Sequence, residues 1–370
     1  MKGVILVGGL GTRLRPLTCN VPKPMIPLAN RPLIERMLVR LRDQGIDEIV
    51  LAARYLSEHF RAAFGDGREL GITLHIVEER DPLGTAGAVK NSEHLLEGDV
   101  FIFNGDVVTS LDLRAMLDFH QQKGSKMTIA LTPVDDPTQY GLVEMNPENR
   151  ILRFLEKPRA EDVMTNMINA GTYIINMEVF RYVPPGEFYM FERGLFPVLL
   201  QTGDPIFGYP TRDYWTDVGR PSTYLEVNHN VLIGRVNMPF PGQEIASRVW
   251  VEGEAHIEEG VQLVGPLVIG PEVTIARGAS IIGPTVIGAR CQIGPNSTIE
   301  EAVLWENNRI EEGAFLRRCV VGHGNTIGSR TVIVGGAVVS DECTVGADNR
   351  LDHGVRLWPG TALKDQAISF

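Results

Sequence analysis

Three cations crowd a short stretch near the start of the chain: Arg13, Arg15 and Lys23, set among Gly8, Gly9, Gly11 and Thr12 and flanked by Pro16, Pro22 and Pro24. Glycine lets backbone N–H groups approach an anion, arginine can fork two phosphate oxygens, and lysine acts as a point charge. The combination suits a polyphosphate. Because the loop follows the apolar run 4–7, a strand passing through Leu6 would aim those N–H groups at a ligand beyond its C-terminal end. As a dinucleotide fingerprint the loop is poor, since Leu14 occupies the third glycine position and Pro16 and Pro22 delay a helix. The Walker pattern, GxxxxGK followed by Ser or Thr, does not occur in the chain. The plain alternative is a Gly/Pro turn with solvated charges.

Carboxylates that could work with such a loop lie far along the chain. Asp106 follows Gly105 and the apolar run 100–103, and Asp217 lies in Trp215-Thr216-Asp217-Val218-Gly219. Mg²⁺ favours carboxylate and phosphate oxygens and keeps several waters, so two aspartates would suffice beside a triphosphate. A helix cap for Asp106 and a surface turn for Asp217 are the structural alternatives. GxSxG, HExxH and paired Cys/His metal spacings do not occur. Their absence agrees with a displacement at phosphorus that needs positioning and charge neutralisation rather than a protein nucleophile.

Two grammars organise the elements around these residues. Up to about residue 228, the runs 4–7, 49–53, 74–77, 100–103 and 127–131 read as strands alternating with helices. Between the first two lies a helix with Asn30 near its N-cap, Pro32 in its first turn, Leu33, Met37 and Leu41 at helical spacing, and Gly45 at its end. Such alternation implies a Rossmann-like α/β domain with a mostly parallel sheet. From Val251 an aliphatic residue recurs at every sixth position through Ile299; the register slips by one residue to Leu304 and again to Val321, then runs on to Leu363. Hexapeptide periodicity predicts a left-handed parallel β-helix, with glycines such as Gly265, Gly270, Gly283, Gly288 and Gly294 at its corners. The expected division is therefore a catalytic domain over 1–228, a Pro/Gly-rich linker over 229–247 and a solenoid over 248–370.

GGLGTRLRPLT followed by PKP resembles the N-terminal signature of the sugar-1-phosphate nucleotidyltransferases. The likeness continues in order through PLGTAG (82–87), NGD (104–106), Tyr140-Gly141, Glu156-Lys157-Pro158, Asn169-Ala170-Gly171 and WTDVG (215–219). It implies an enzyme that joins a nucleoside triphosphate to a sugar-1-phosphate and releases pyrophosphate. By resemblance, Arg13, Lys23, Asp106, Lys157 and Asp217 carry the chemistry, with Mg²⁺ on Asp106 and Asp217. Leu6, Gly8, Gly9, Gly11, Thr12, Gly84, Thr85 and Gly105 would join Arg13 and Lys23 in binding the nucleotide. Gly141, Glu156, Lys157 and Asn169 would bind the sugar phosphate. The stretches 78–87 and 215–221 look most like mannose-1-phosphate guanylyltransferases, implying GTP and mannose-1-phosphate. Glucose-1-phosphate thymidylyl and uridylyl transferases share most of these residues and remain the alternative.

A formal charge of −11 over 370 residues, with no basic run, argues against nucleic acid or an anionic membrane as partner. Four cysteines without a CxxC pair, and no targeting signal, point to the cytoplasm. A β-helix presents flat faces and a terminal edge that partners can cover, so homo-oligomerisation is expected. Left-handed β-helices also build acyltransferases, for which His256, His323 and His353 would be the candidate bases, making the protein bifunctional.

Overall fold

The computed structural model describes residues 1–54 and 56–369; Tyr55 and Phe370 lie outside the described residues. The chain folds as two compact units, residues 1–10 with 37–216 and residues 11–36 with 217–370.

In the first unit nine strands share one sheet. They are β1 (Lys2–Leu6), β2 (Glu48–Ala53), β3 (Thr73–Glu78), β4 (Asp99–Asn104), β5 (Met127–Pro133), β6 (Gly141–Met145), β7 (Ile151–Glu156), β8 (Met167–Asn176) and β9 (Ile206–Pro210). Their order is β7-β6-β8-β4-β1-β2-β3, with β5 pairing both β8 and β9. The first four expected strands form a parallel block. β8 then runs antiparallel to β4 and to β5, so the fifth expected strand enters through a reversal of direction. Val4, Val50, Ile102, Ile129 and Tyr173, all nearly inaccessible to solvent, form the core on one face of this sheet.

The helix expected after β1 spans Leu33–Asp43. Asn30 is not its cap. Ala29 (φ 47°) and Asn30 (φ 63°) are the two central residues of a tight hairpin that pairs Pro27–Leu28 with Arg31–Pro32. Two successive left-handed residues are what such a two-residue loop demands, so Asn30 is used for its tolerance of positive φ and not for its side-chain oxygen. Gly45, at φ 84°, ends the helix as expected, its N–H donating to the Arg42 carbonyl at 2.9 Å.

In the second unit residues 249–363 wind into a three-sided solenoid whose faces hold seven, seven and six strands. Strands stack in parallel from coil to coil. Val249 pairs with Leu267 and Leu267 with Thr285, eighteen residues per coil. Val286 pairs with Val303 and Val303 with Val320, seventeen residues per coil, which accounts for both register slips. The repeating aliphatics line the interior, Ile269, Ile275, Ile281 and Ile287 each at 0% exposure.

The corner glycines do something other than turn the chain. A Cβ on Gly288 would stand 2.5 Å from the Trp305 backbone, and one on Gly270 would stand 2.6 Å from the amide nitrogen of Ala289. Two residues after each glycine comes the left-handed residue, and there it carries a side chain: Glu272 (φ 57°), Arg290 (φ 56°) and Asn296 (φ 54°) after Gly270, Gly288 and Gly294. Close coil-to-coil approach thus selects glycine, while the strained corner falls to exposed or half-exposed polar residues.

At the start of the solenoid one of the three strand edges is covered. The strand Gln243–Ala246 pairs antiparallel with Val249–Val251. No helix among the described residues is long and apolar enough to cross a membrane.

Candidate active site

Within the first unit the site residues gather at the ends of β1, β4, β6 and β7. The Gly105 N–H donates to the Leu6 carbonyl at 3.0 Å. A Cβ on Gly105 would lie 2.7 Å from Val7 and 2.9 Å from that carbonyl, so only glycine lets the turn after β4 lie against β1. Asp106, next in sequence, is half-buried beside this junction. Gly8 is half-buried and Gly9 exposed, as a loop open to a ligand requires.

Gly84 takes φ 69°, where a Cβ would meet the Tyr189 carbonyl at 2.8 Å. The Ala86 and Gly87 N–H groups both donate to that carbonyl at 3.0 Å. The Thr85 hydroxyl accepts the Phe191 N–H at 2.8 Å and donates to Glu192 at 3.4 Å. Thr85 is therefore tied to the 189–192 segment. Glu79 is 7% exposed and accepts the Leu83 N–H at 3.2 Å; burial raises its pKa against the opposing pull of that N–H and of Arg54.

Gly141 pairs in register with Glu156. A Cβ there would stand 2.5 Å from the Phe154 ring and 3.1 Å from a Glu156 carboxylate oxygen. The next residue, Lys157, is exposed and takes φ 49°, its N–H donating to the Tyr140 carbonyl at 3.0 Å. A lysine held in the left-handed region is strained, and such strain gathers at functional positions. The Asn169 amide is largely committed, its oxygen accepting the Gly171 N–H at 2.9 Å and its NH₂ donating to the Tyr173 hydroxyl at 2.8 Å. One amide hydrogen is left for a ligand. Tyr140 and Trp215 meet edge to face at 5.5 Å, and the Trp215 indole N–H donates to the Ala170 carbonyl at 2.8 Å.

Sequence reasoning missed Glu192. It lies in a single π-helical turn, Phe191–Leu195, facing the Thr85 hydroxyl. Burial raises its pKa first, and the neighbouring Glu156 charge raises it further. The same two carboxylates and Asp106 bear on the buried Tyr173, whose pKa burial pushes well up. A lone glutamate between Phe191 and Arg193 carries no spacing signal; the turn that aims it is a tertiary product.

Within the second unit the loop residues and Asp217 form one charge cluster. Lys23 Nζ stands 3.3 Å from Asp217 Oδ1, and Arg13 Nη2 stands 3.8 Å from Asp217 Oδ2. The Lys23 side chain is 9% exposed, that of Asp217 18%, and that of Arg13 63%. Gly11, at φ 60°, starts the 3₁₀ turn Thr12–Leu14, and the Thr18 hydroxyl donates to the Gly11 carbonyl at 2.8 Å. Leu14 and Leu17 are fully buried, anchoring the turn while Thr12, Arg13 and Arg15 face solvent. A Cβ on Gly219 would stand 3.0 Å from Asp217 Oδ2, so glycine leaves the carboxylate free to reach both cations.

No group of three or more His, Cys, Asp or Glu side chains that could hold a metal occurs among the described residues. Carboxylates contributed singly fit a cation whose remaining ligands are phosphate and water, which is how Mg²⁺ is usually held, although in this structure the Asp217 oxygens face Lys23 and Arg13. Of the candidate acyl-transfer bases, His256 and His353 are exposed, and the His323 ring packs edge to face on Trp305 at 5.1 Å.

The family model described as Nucleotidyl transferase matches residues 2–233, and that described as EIF2B subunit epsilon LbH domain matches residues 246–351. The chain is 37% identical to a mannose-1-phosphate guanylyltransferase of Mycobacterium tuberculosis, over 100% of this chain and 98% of that protein. It is 33% identical to a mannose-1-phosphate guanyltransferase of Pichia angusta, over 99% and 98%. The crystal structure of HddC from Yersinia pseudotuberculosis complexed with GMP-PN is similar at a TM-score of 0.54 and 28% identity, covering 62% of this chain and 99% of that one.

Proposed function

Because this chain belongs to the nucleotidyl transferase family, we propose that it transfers guanylyl from GTP to mannose-1-phosphate, giving GDP-mannose and pyrophosphate. Nucleotidyl transfer to a sugar-1-phosphate is the activity of the family; the base and the sugar are the proposal. The observation that carries them is the whole-length likeness to a mannose-1-phosphate guanylyltransferase at 37% identity.

In this reading an oxygen of the sugar phosphate attacks the α-phosphorus in line, and pyrophosphate leaves from the opposite side. Arg13 and Lys23 hold the triphosphate, with the loop residues Gly8, Gly9, Gly11 and Thr12 offering backbone N–H groups. The close contact of both cations with Asp217 supports a site tuned for a highly charged ligand. Gly84 and Thr85 lie at the base, Leu6 and Gly105 at the nucleoside. Lys157 meets the sugar's phosphate, and its strained backbone supports that role. Gly141, Glu156, Asn169 and Glu192 face the sugar hydroxyls. Asp106 and Asp217 supply carboxylate oxygens to Mg²⁺, which when bound neutralises developing charge on the phosphates.

We also propose that residues 1–228 are the catalytic domain, 229–247 the connection and 248–370 a solenoid that assembles the chain into a homo-oligomer. The two matched spans, 2–233 and 246–351, support the division into two domains, although the first runs five residues past 228 and the helix Pro221–Leu232 crosses that point. Four free cysteines, three of them buried, support a reducing, cytoplasmic setting.

The deciding experiment measures pyrophosphate release with GTP, dTTP, UTP and ATP against mannose- and glucose-1-phosphate. GTP with mannose-1-phosphate is expected to give the highest kcat/KM. A higher value for UTP or dTTP with glucose-1-phosphate would overturn the assignment of base and sugar while leaving the family chemistry in place.

A further inference from the structure

The polyphosphate loop is held from behind by the solenoid, through contacts that lie wholly within the second unit. Between the 3₁₀ turn Thr12–Leu14 and Lys23 the backbone has no sheet partner, yet Pro16, Leu17 and Thr18 are buried and their polar groups need partners. The solenoid supplies several. Ser340, at 0% exposure, donates its hydroxyl to the Pro16 carbonyl at 2.9 Å. Arg356 Nη1 donates to the Arg15 carbonyl at 2.9 Å. The Asn20 amide donates to Asp341 Oδ2 at 2.9 Å.

Asp341 is 4% exposed, and its other oxygen accepts the His323 N–H at 2.9 Å. A Cβ on Gly322 would stand 2.5 Å from that oxygen, so the glycine of this corner leaves room for the carboxylate. The corner Gly322-His323-Gly324 thereby acquires a use unrelated to acyl transfer: its backbone fixes the carboxylate that fixes Asn20. Ser340, Asp341 and Arg356 thus hold the backbone of Pro16, the side chain of Asn20 and the backbone of Arg15, while the Arg13 and Arg15 side chains are exposed.

We propose that Ser340 and Asp341 are positioning residues for nucleotidyl transfer: they act through Pro16 and Asn20 to set where the loop presents its cations to the triphosphate. The proposal rests on the reading of Arg13 and Lys23 as triphosphate ligands. A loop without regular structure has to be ordered before it binds, and displacements of about 1 Å at such sites cost up to about 100-fold in rate.

Steady-state kinetics on the full chain test it, with GTP and mannose-1-phosphate varied separately and melting temperature recorded for every variant. Asp341→Ala and Ser340→Ala are expected to raise KM for GTP about fivefold to tenfold and to leave KM for mannose-1-phosphate unchanged. Ser340→Thr keeps the hydroxyl and is expected to stay near the parent. Pairing Asp341→Asn with Asn20→Asp exchanges donor and acceptor across the same bond, and is expected to recover much of what Asp341→Asn alone loses. Ser340→Ala removes a single oxygen, so it carries the test should Asp341→Ala fail to fold. Folded Ser340→Ala with an unchanged KM for GTP overturns the proposal, as does failure of the exchanged pair to recover. Arg13→Ala serves as control: if it leaves KM for GTP unchanged, the reading of the loop itself is wrong.

Discussion

The sheet of the first unit and the solenoid of the second use glycine for the same physical reason and to opposite ends. In the sheet, Gly105 and Gly141 stand at strand ends where a Cβ would strike a neighbour: Gly105 lets the turn that carries the half-buried Asp106 lie against β1, and Gly141 makes room for Phe154 and the half-buried Glu156. In the solenoid, Gly270 and Gly288 stand where one coil touches the next, and what they make room for is the backbone itself. Left-handed conformation is divided just as differently. The solenoid gives it to Glu272, Arg290 and His353 as routine corner geometry, whereas in the first unit it falls to Leu56, Asn149 and Lys157 at unrelated positions, and of these Lys157 has a proposed chemical role. Strain that repeats at every corner is architecture; strain beside other candidate site residues, as at Lys157 next to Glu156, asks for a function.

Substitutions can break this contrast. The largest effect is expected from Asp106→Ala, which should lower kcat about 10³-fold with little change in melting temperature; near-parent turnover in Mg²⁺ would remove Asp106 from the chemistry. Gly288→Val should do the reverse, destabilising the fold by about 3 kcal/mol in a denaturant titration while leaving kcat per folded molecule near the parent. Lys157→Ala should raise KM for the sugar phosphate about tenfold more than KM for the triphosphate, as initial rates would show.

Glu192 gives a pH signature. Its folded pKa lies above the ordinary 4.5 because of burial, so the folded state holds the proton more tightly. Stability contributed by the neutral form is present below about pH 4.5 and is lost as pH rises through the folded value. Glu192→Gln should flatten that decline, and parallel melting-temperature profiles for parent and variant would refute the buried-carboxyl assignment. The smallest effect belongs to His353→Gly at a corner of φ 55° with an 84% exposed side chain. Relief of the left-handed strain and the added chain entropy nearly cancel, so stability should move by no more than about 0.5 kcal/mol.

The same contrast explains what was legible in the sequence. A solenoid writes its fold along the chain, and each buried Ile or Val at sixfold spacing is a local statement; even the one-residue slips before Leu304 and Val321 survived as shorter coils. The first four strands were legible because each is a continuous apolar run, but the antiparallel β8 that reverses the sheet was not, since strand direction leaves no mark on composition. Lys23 and Arg13 could be chosen as phosphate ligands from their company of glycines and prolines. Their shared contact with Asp217, some 200 residues away, is a product of folding that no local pattern announces. Glu192 stayed hidden for the same reason. Asn30 was misread because a helix cap and a tight hairpin both favour asparagine, and only the backbone angle separates them.

The antiparallel strand Gln243–Ala246 limits growth on one of the three faces of the solenoid. Stacked parallel coils would otherwise end in a row of unpaired backbone groups on which another chain's coil could continue in register, copy after copy, into a fibre. At this end the next partner would meet a strand running the wrong way, with all four residues exposed. In-register continuation is thereby blocked on one face of the first coil, while His256–Ile257 and Gln262–Val264 stand first in the other two sheets and keep their edges.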